Sequence, residues 1–403
     1  MDNTMPSALK RKITKEINNI YESIVAIRRH IHMHPEVSGM EFETASFVHS
    51  TLADMGLKPV YHVNKTAVVA TVKNGKGPKI VLRADMDALP IQEDSGLSYH
   101  SVHPGIMHAC GHDMHTASLL GAARVLCALK EYWNGTILFL FQPAEEIEPG
   151  GATQLIDCGA FPKDADAVFG LHVNPDHPTG TVGIKKNLDY AGVLAFDVVI
   201  RGKGGHGGTP EDSIDPIVCI SNLILQMQTL ISREKSPFFP SVLTIGAVNA
   251  GTRRNIIPET ATMNGTVRCH TRDCLESIKK RILEVATATA QSYRCVAEVF
   301  FEKPYPAVCN NELLADSFSK AFTEIAGSEK CVERLLPTMF AEDFAFYQEK
   351  VPGLFIHLGV HPHNNKNIYH LHSPHFCPDE KALATGMMSH VVFALDRMGG
   401  AHL

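Results

Sequence analysis

Residues 136–146 read TILFLFQPAEE: five consecutive apolar residues at 137–141, a Gln-Pro break, then the adjacent carboxylates Glu145 and Glu146. A short continuous apolar run of this kind is the mark of a strand buried on both faces of a parallel sheet. Open α/β sheets bind ligands beyond the carboxyl ends of their strands, which is where the two glutamates fall. Three more segments share the form: 66–72, then 79–84 followed by Asp85 and Asp87, and 166–171 followed by His172. All four are expected to be strands of a largely parallel sheet. Helical spacing of apolar residues predicts helices at 13–33, at 41–55 with Gly56 as its stop, and at 114–131.

Near Asn187 the rhythm changes. A strand at 193–201, a helix at 214–230, strands at 241–249 and 260–269, a helix at 273–292 and a strand at 294–301 give the order β-α-β-β-α-β, that of a ferredoxin-like unit. After Pro304 the earlier alternation resumes, with a strand at 353–358 and a closing helix at 379–398. The expected fold class is α/β: a catalytic domain split between 1–189 and 304–403, its mixed, largely parallel sheet flanked by helices, with an inserted ferredoxin-like α+β lid domain at 190–303. A chain of 403 residues is long enough for two such units.

Composition narrows the function. Hydrophobic residues make up 44% and charged residues 20%, as in an ordinary soluble globular protein. The net charge of −6 and the absence of a long Lys/Arg run argue against nucleic acid or an anionic membrane as partner. The first twenty residues hold no apolar stretch fit for a secretory signal, and the longest apolar runs are strand-sized, so a cytoplasmic location is expected. Ten cysteines without a CxxC pair read as free thiols. The 22 histidines, bunched with Cys, Asp and Glu, point to metal chemistry.

The densest cluster is HACGHDMH, with His108, Cys110, His112, Asp113 and His115 in eight residues. Thiolate and imidazole suit zinc or a related divalent ion, although one tract alone lacks the ligands of a closed site and also reads as a His-rich turn that binds nothing. Neighbours at a strand end point in different directions, so of Glu145 and Glu146 one can bind metal while the other carries a proton. RADMD, GLH ending at His172, and YHLHSP with His370 and His372 add ligand-type residues beside strands or in loops. RGKGGHGG contains GxGxxG after a strand, but the helix expected next holds no acid where a dinucleotide site needs one, so the glycines read as a flexible loop presenting His206. A nicotinamide-dependent oxidoreductase would rest on that motif alone. GxxxxGK[ST], HExxH and GxSxG are all absent.

RADMDALPIQE, MHACGHDMHTASLLGAA, FQPAEE, GLH, GKGGHG, NIIPE, GTVR, AEDFAFY and LHSP occur in that order. Together they resemble the metal-dependent amidohydrolase and peptidase family of aminoacylases and carboxypeptidases, in the branch of hippurate hydrolase, N-acyl-amino-acid amidohydrolases and auxin-conjugate hydrolases. The resemblance implies two divalent ions per chain, zinc or manganese, with nickel or cobalt as further candidates. Position by position it implies Cys110, His112, Glu146, His172 and His372 as ligands, with Cys110 bridging. Glu145 then matches the general base, His206 a lid donor to the substrate carbonyl that in some relatives comes from a partner subunit, and Asp87 the acid that orients a ligand. Asn255 and Arg268 match lid residues near the substrate carboxylate, where they are expected to act as a pair. The implied reaction is hydrolysis of an N-acyl-amino acid, with a carboxypeptidase or dipeptidase as the alternative and a metal-free binding protein as a remoter one. The implied assembly is a homodimer through the lid. Two positions depart from the branch: Glu211 stands where a histidine is usual, and Arg253-Arg254 replace small or apolar residues before NIIP. Both touch substrate identity rather than the hydrolytic residues.

Overall fold

The computed structural model describes residues 6–333, 336–362 and 368–399, and the chain divides into two compact units, each with its own core. One is Met1–Asn187 with Cys309–Leu336 and Phe346–Leu403; the other is Leu188–Val308 with Pro337–Ala345. In chain order the elements used below are α1 (Ser7–Met33), α2 (Phe42–Asp54), β1 (Val60–His62), β2 (Ala67–Asn74), β3 (Lys79–Asp85), α3 (His112–Ala128), β4 (Gly135–Gln142), β5 (Ala167–Pro178) and β6 (Val182–Ile184). The second unit follows with β7 (Gly192–Arg201), α4 (Pro216–Ser232), β8 (Ser241–Ala250), β9 (Thr260–Cys269), α5 (Arg272–Ser292) and β10 (Val296–Phe301). The first unit then closes with α6 (Glu312–Ala326), β11 (Cys331–Glu333), β12 (Gly353–His361) and α7 (Ala382–Arg397).

The first unit is built on one eight-stranded sheet in the order β1-β2-β4-β3-β5-β12-β6-β11. The pairs β4/β3, β3/β5, β5/β12 and β6/β11 are parallel and the rest antiparallel, so the sheet is mixed and largely parallel. The segment expected at 66–72 is a correction in direction: β2 runs antiparallel to β4. Only residues 75–78 link β2 to β3, too few for the crossover that a parallel return needs. Helix α1 begins at Ser7, before the expected start, and buries Ile13, Ile17, Ile20, Ile24 and Ile31, one helical face. Helix α2 stops where Gly56 takes a left-handed φ of +78°. Helix α3 is buried almost all round and packs against α1, α7 and β3.

The second unit realises the β-α-β-β-α-β order as a four-stranded antiparallel sheet, β8-β9-β7-β10, with α4 and α5 packed on it. Its core runs from Leu194, Phe196, Val198 and Ile200 on β7 to Ile278, Ile282 and Ala286 on α5. Helix α4 starts at Pro216, a residue suited to a first helical turn, and Asp215 caps it by accepting from the Ile217 amide at 2.8 Å. Among the described residues no helix is long and apolar enough to cross a membrane.

Candidate metal centre

Parallel pairing aligns the carboxyl ends of three strands, with Asp85 opposite Gln142 across β3/β4 and Leu82 opposite Phe169 across β3/β5. Asp87, Glu145 and Glu146 lie just past two of these ends. His172 was expected just after its strand, but β5 continues to Pro178 and holds His172 within the sheet, opposite His357 of β12. Between Cys110 and His112 the chain turns on Gly111, at φ +81°, where an added Cβ would lie 2.6 Å from Val173 Cγ2. Only glycine allows the start of α3 to lie this close to β5. Helix α3 begins two residues earlier than expected, so His112 is its first residue.

The result is a set of facing donors, with Cys110, His112 and His172 buried, Glu146 partly buried and His372 exposed. Cys110 Sγ lies 3.4 Å from His172 Nε2, and His372 Nε2 lies 3.2 Å from Glu146 Oε1. One ligand atom from each of Cys110, His112 and His172 falls within 4.8 Å of the others, and the same holds for Cys110, Glu146 and His372. Cys110 belongs to both groups, which is the arrangement a bridging thiolate requires. Two ligands on one tetrahedral zinc sit about 3.5 Å apart, so these separations fit a cation between them. His112 Nε2 is buried without a hydrogen-bond partner, a costly state unless an ion satisfies it.

The second nitrogen of each buried imidazole is occupied. His112 Nδ1 donates to Asp87 Oδ1 at 3.1 Å and His172 Nδ1 to the Val173 carbonyl at 2.8 Å, leaving both Nε2 lone pairs toward the cluster. Asp87 also accepts, on Oδ2, from Ser38 Oγ at 2.7 Å and from the Glu146 amide at 2.9 Å. One carboxylate thus positions two of the expected ligands. Glu41 holds the neighbouring turn: its Oε1 accepts from the Gly39 and Ala144 amides, each at 2.8 Å, and Ala144 takes φ +54° immediately before Glu145. Burial, then the nearby Asp87 charge, raise the Glu41 carboxyl to about 7.

Electrostatics favour cations here. Burial first, then Glu146 and Glu145, push the Cys110 thiol well above its usual range. Burial alone would lower His112, yet Asp85, Asp87 and Glu146 hold it up to about 10. His172 is kept well below the ordinary imidazole range by burial and by the nearby His115 and His112. Metal binding at such a site displaces the protons that otherwise balance its acids.

The rest of HACGHDMH is not brought to this centre as ligands. His108 is buried with neither nitrogen hydrogen-bonded, and burial lowers it to about 4. Asp113 faces Arg28 and His32 instead. His115 donates from Nδ1 to Asp85 Oδ1 at 2.5 Å and accepts the Val173 amide on Nε2 at 2.9 Å, so both nitrogens are used in bracing the strand that carries His172. His370 is exposed and lies 3.7 Å from Asp176. Ser38 and Glu41 were not singled out from the sequence; Asp85 and His115 were named there as ligand-type residues but given no supporting role. The spacing of Asp85 two residues before Asp87 was the one visible signal.

In the second unit the glycine-rich segment is not a free loop, which corrects the expectation. Gly205 and His206 pair antiparallel with Ile257 and Ile256, and the Gly207 amide donates to the Asn255 carbonyl at 2.9 Å. His206 Nδ1 accepts from the Gly208 amide at 3.0 Å, so a neutral ring carries its proton on Nε2. Arg268 lies elsewhere. From Thr260, next to the His206–Asn255 ribbon, to Arg268 is eight residues of β9, roughly 25 Å at strand rise. The expected Asn255–Arg268 pairing on one carboxylate is therefore not formed within one chain. Arg268 Nη1 donates to the Met339 carbonyl at 2.8 Å, rather than to an acid such as Glu259.

A Cys/His/Glu donor cluster at the carboxyl ends of an α/β sheet fits the class of metal-dependent hydrolases. Residues 81–395 match peptidase family M20/M25/M40, and the chain belongs to that family. It is 39% identical over 372 residues to an N-acetyl-L-cysteine deacetylase of Bacillus subtilis, covering 91% of this chain and 86% of that one. Identity is again 39%, over 381 residues, to an IAA-amino acid hydrolase of Arabidopsis thaliana, with 94% and 86% covered. Among solved structures, a dinuclear metal-binding M20 peptidase of Bacillus subtilis superposes with a TM-score of 0.82 at 34% identity, covering 94% of this chain and 99% of its own.

Proposed function

We propose that this protein hydrolyses the amide bond of N-acyl-amino acids, releasing a carboxylic acid and a free amino acid. The observation that carries the reading is Glu145, set beside a donor cluster in which His112 Nε2 is buried without a hydrogen-bond partner. Cys110, Glu146 and His372 would hold one ion and Cys110, His112 and His172 the other. Bound there, two divalent cations, zinc or manganese, supply Lewis acidity and a water of lowered pKa. Glu145 takes the proton of the attacking water and returns it to the departing amine nitrogen. His206 offers an Nε2–H to the substrate carbonyl oxygen as charge develops on it. The reading is tested by rates on a panel of N-acetyl, N-benzoyl, indole-3-acetyl and dipeptide substrates. Fast release from the acyl-amino acids supports it, and a clear preference for dipeptides would move the protein to the peptidase alternative.

Metal analysis of the purified protein should give two divalent ions per chain, because the five proposed ligands exceed the needs of one open catalytic zinc. Dialysis against a chelator should abolish turnover, with recovery on adding back zinc or manganese. Full activity in a metal-free preparation would rule the site out.

Arg268 is proposed to read the free α-carboxylate, since a guanidinium grips carboxylates in two-point fashion. Burial already lowers its proton affinity, and its described partner is a neutral carbonyl, so its charge is not spent on an acid. The wild type should prefer the free acid over the carboxamide by about 10–100-fold, the worth of charge-assisted hydrogen bonds. Arg268→Met should erase most of that preference in a folded, metal-loaded protein. Equal wild-type rates on acid and amide would end the assignment and shift attention to Arg253 or Arg254.

A homodimer through the second unit is also proposed. β8 is an edge strand with Val242 and Val248 exposed, and α4 beside it leaves Leu225 70% exposed. His206 and Asn255 are proposed to serve the partner's centre, as the resemblance implies for the lid histidine of some relatives. Subunit exchange between the inactive variants Glu145→Gln and His206→Ala should then restore about a quarter of wild-type activity, because half the dimers are mixed and each carries one complete site. No recovery after verified exchange would place His206 in its own chain's site.

A further inference from the structure

Two pairs of cysteines lie close to one another in the second unit, and they differ in kind. Cys219 and Cys295 are both buried; burial, then the partner thiol, raise Cys219 to about 12, so neither offers a thiolate. Cys269 and Cys274 lie where β9 ends and α5 begins. Cys269 is 1% exposed and pairs across the sheet with Ser241, whose Oγ is 3.4 Å from Cys274 Sγ. Cys274 is partly exposed, in the first turn of α5, and its amide donates to the capping Thr271 Oγ1 at 3.2 Å.

We propose that Cys269 and Cys274 are a dithiol modification site that closes reversibly to a disulfide by exchange with low-molecular-weight disulfides. The geometry supplies what such a site needs: an accessible attacking sulfur, a second cysteine that is the cross-strand partner of the serine touching that sulfur, and a turn of only four residues between the two. The neighbouring Cys269 thiol comes first in lowering Cys274 to about 6; the Ser241 hydroxyl, Lys235 and His270 add to it, while burial opposes. A thiolate in the first turn of a helix is further favoured by the unpaired amides there. Cys269 is correspondingly held as the thiol: its Sγ donates to the Thr271 carbonyl at 3.7 Å, and Cys274 first and then burial raise its pKa.

The exchange balances in two steps. The Cys274 thiolate attacks one sulfur of the small disulfide, forming a mixed disulfide and expelling one thiolate. Cys269 then gives up its proton and attacks Cys274 Sγ, expelling the second thiol. The protein dithiol loses two electrons and the small disulfide gains them.

The test uses the metal-loaded wild-type protein and glutathione disulfide as probe, followed by alkylation of free thiols and tryptic mapping. Cleavage after Arg268, Arg272 and Lys279 puts Cys269 and Cys274 on separate peptides, so the expected result is those two peptides joined, lighter by two hydrogens and released by dithiothreitol. Before oxidation, iodoacetamide at pH 7 should alkylate Cys274 about tenfold faster than the exposed Cys158, Cys309 and Cys377, reflecting its thiolate fraction. In Cys269→Ser the joined peptides should vanish and a stable glutathione adduct remain on Cys274. A wild-type protein that stops at that adduct, or in which Cys274 reacts no faster than Cys158, overturns the proposal.

Discussion

Glu145→Gln should lower turnover by about three to four orders of magnitude while the protein keeps its metal, because general-base catalysis is worth up to ~10⁴-fold and an amide of the same shape accepts no proton. The structure makes this experiment decisive. Glu145 Oε2 lies 4.0 Å from His112 Nε2, and Glu146 Oε1 lies at the same distance, so either glutamate can reach a shared cation. Two features separate them. The Glu146 amide is held by Asp87, and its carboxylate faces His372 at 3.2 Å, as suits a ligand. If Glu145 is the base, the glutamine variant binds two ions and its residual rate loses the acid limb of the pH profile. Loss of one ion together with activity would make Glu145 a ligand, and an unchanged rate would leave the proton to another group.

The second large effect is on stability. Arg28→Met should cost about 3–5 kcal/mol in unfolding free energy, the usual penalty for removing one partner of a buried ion pair. Arg28 Nε lies 2.7 Å from Asp113 Oδ2, and both side chains are fully buried. Asp113 follows the proposed ligand His112 and would be left with His32, whose Nδ1 is 2.8 Å away, and with the neutral His108. Burial and Arg28 work against protonation of His32, but Asp113 and Glu93 outweigh them and its pKa is raised. A raised histidine contributes its stability in full below the unfolded value near 6.5 and loses it as pH rises through the folded value. The deficit of Arg28→Met should therefore be smaller near pH 6 than near pH 9, measured by urea unfolding at each pH. Arg28→Lys, which keeps the charge, should lose less than the methionine variant at both. A pH-independent deficit would mean that His32 does not take over from Arg28.

Much of this protein is determined by the sequence alone, because the relevant physics is local. Continuous apolar runs at 79–84, 136–141 and 166–171 demand two covered faces, and each emerged as a strand of the mixed sheet that is buried over 80–84, 137–141 and 167–171. The β-α-β-β-α-β order followed from alternating periods of two and 3.6, and β9 runs over the span its pattern indicated. Cys110, His112, Glu145, Glu146, His172 and His372 could be named as candidates because their chemistry is written in the chain and the family resemblance selected them from their neighbours. What only the tertiary structure decided depends on partners distant in sequence. Strand β2 runs antiparallel because β4, some seventy residues later, comes to lie beside it. His115 serves β5 rather than a metal because Asp85 and the Val173 amide meet its two nitrogens, and no spacing within HACGHDMH could reveal that. The separation of Asn255 from Arg268 is the length of a strand, invisible until NIIPE is seen paired with the glycine-rich segment at its far end. Residue type sets which atoms can hold a proton or an ion; only long-range pairing sets which of them face each other.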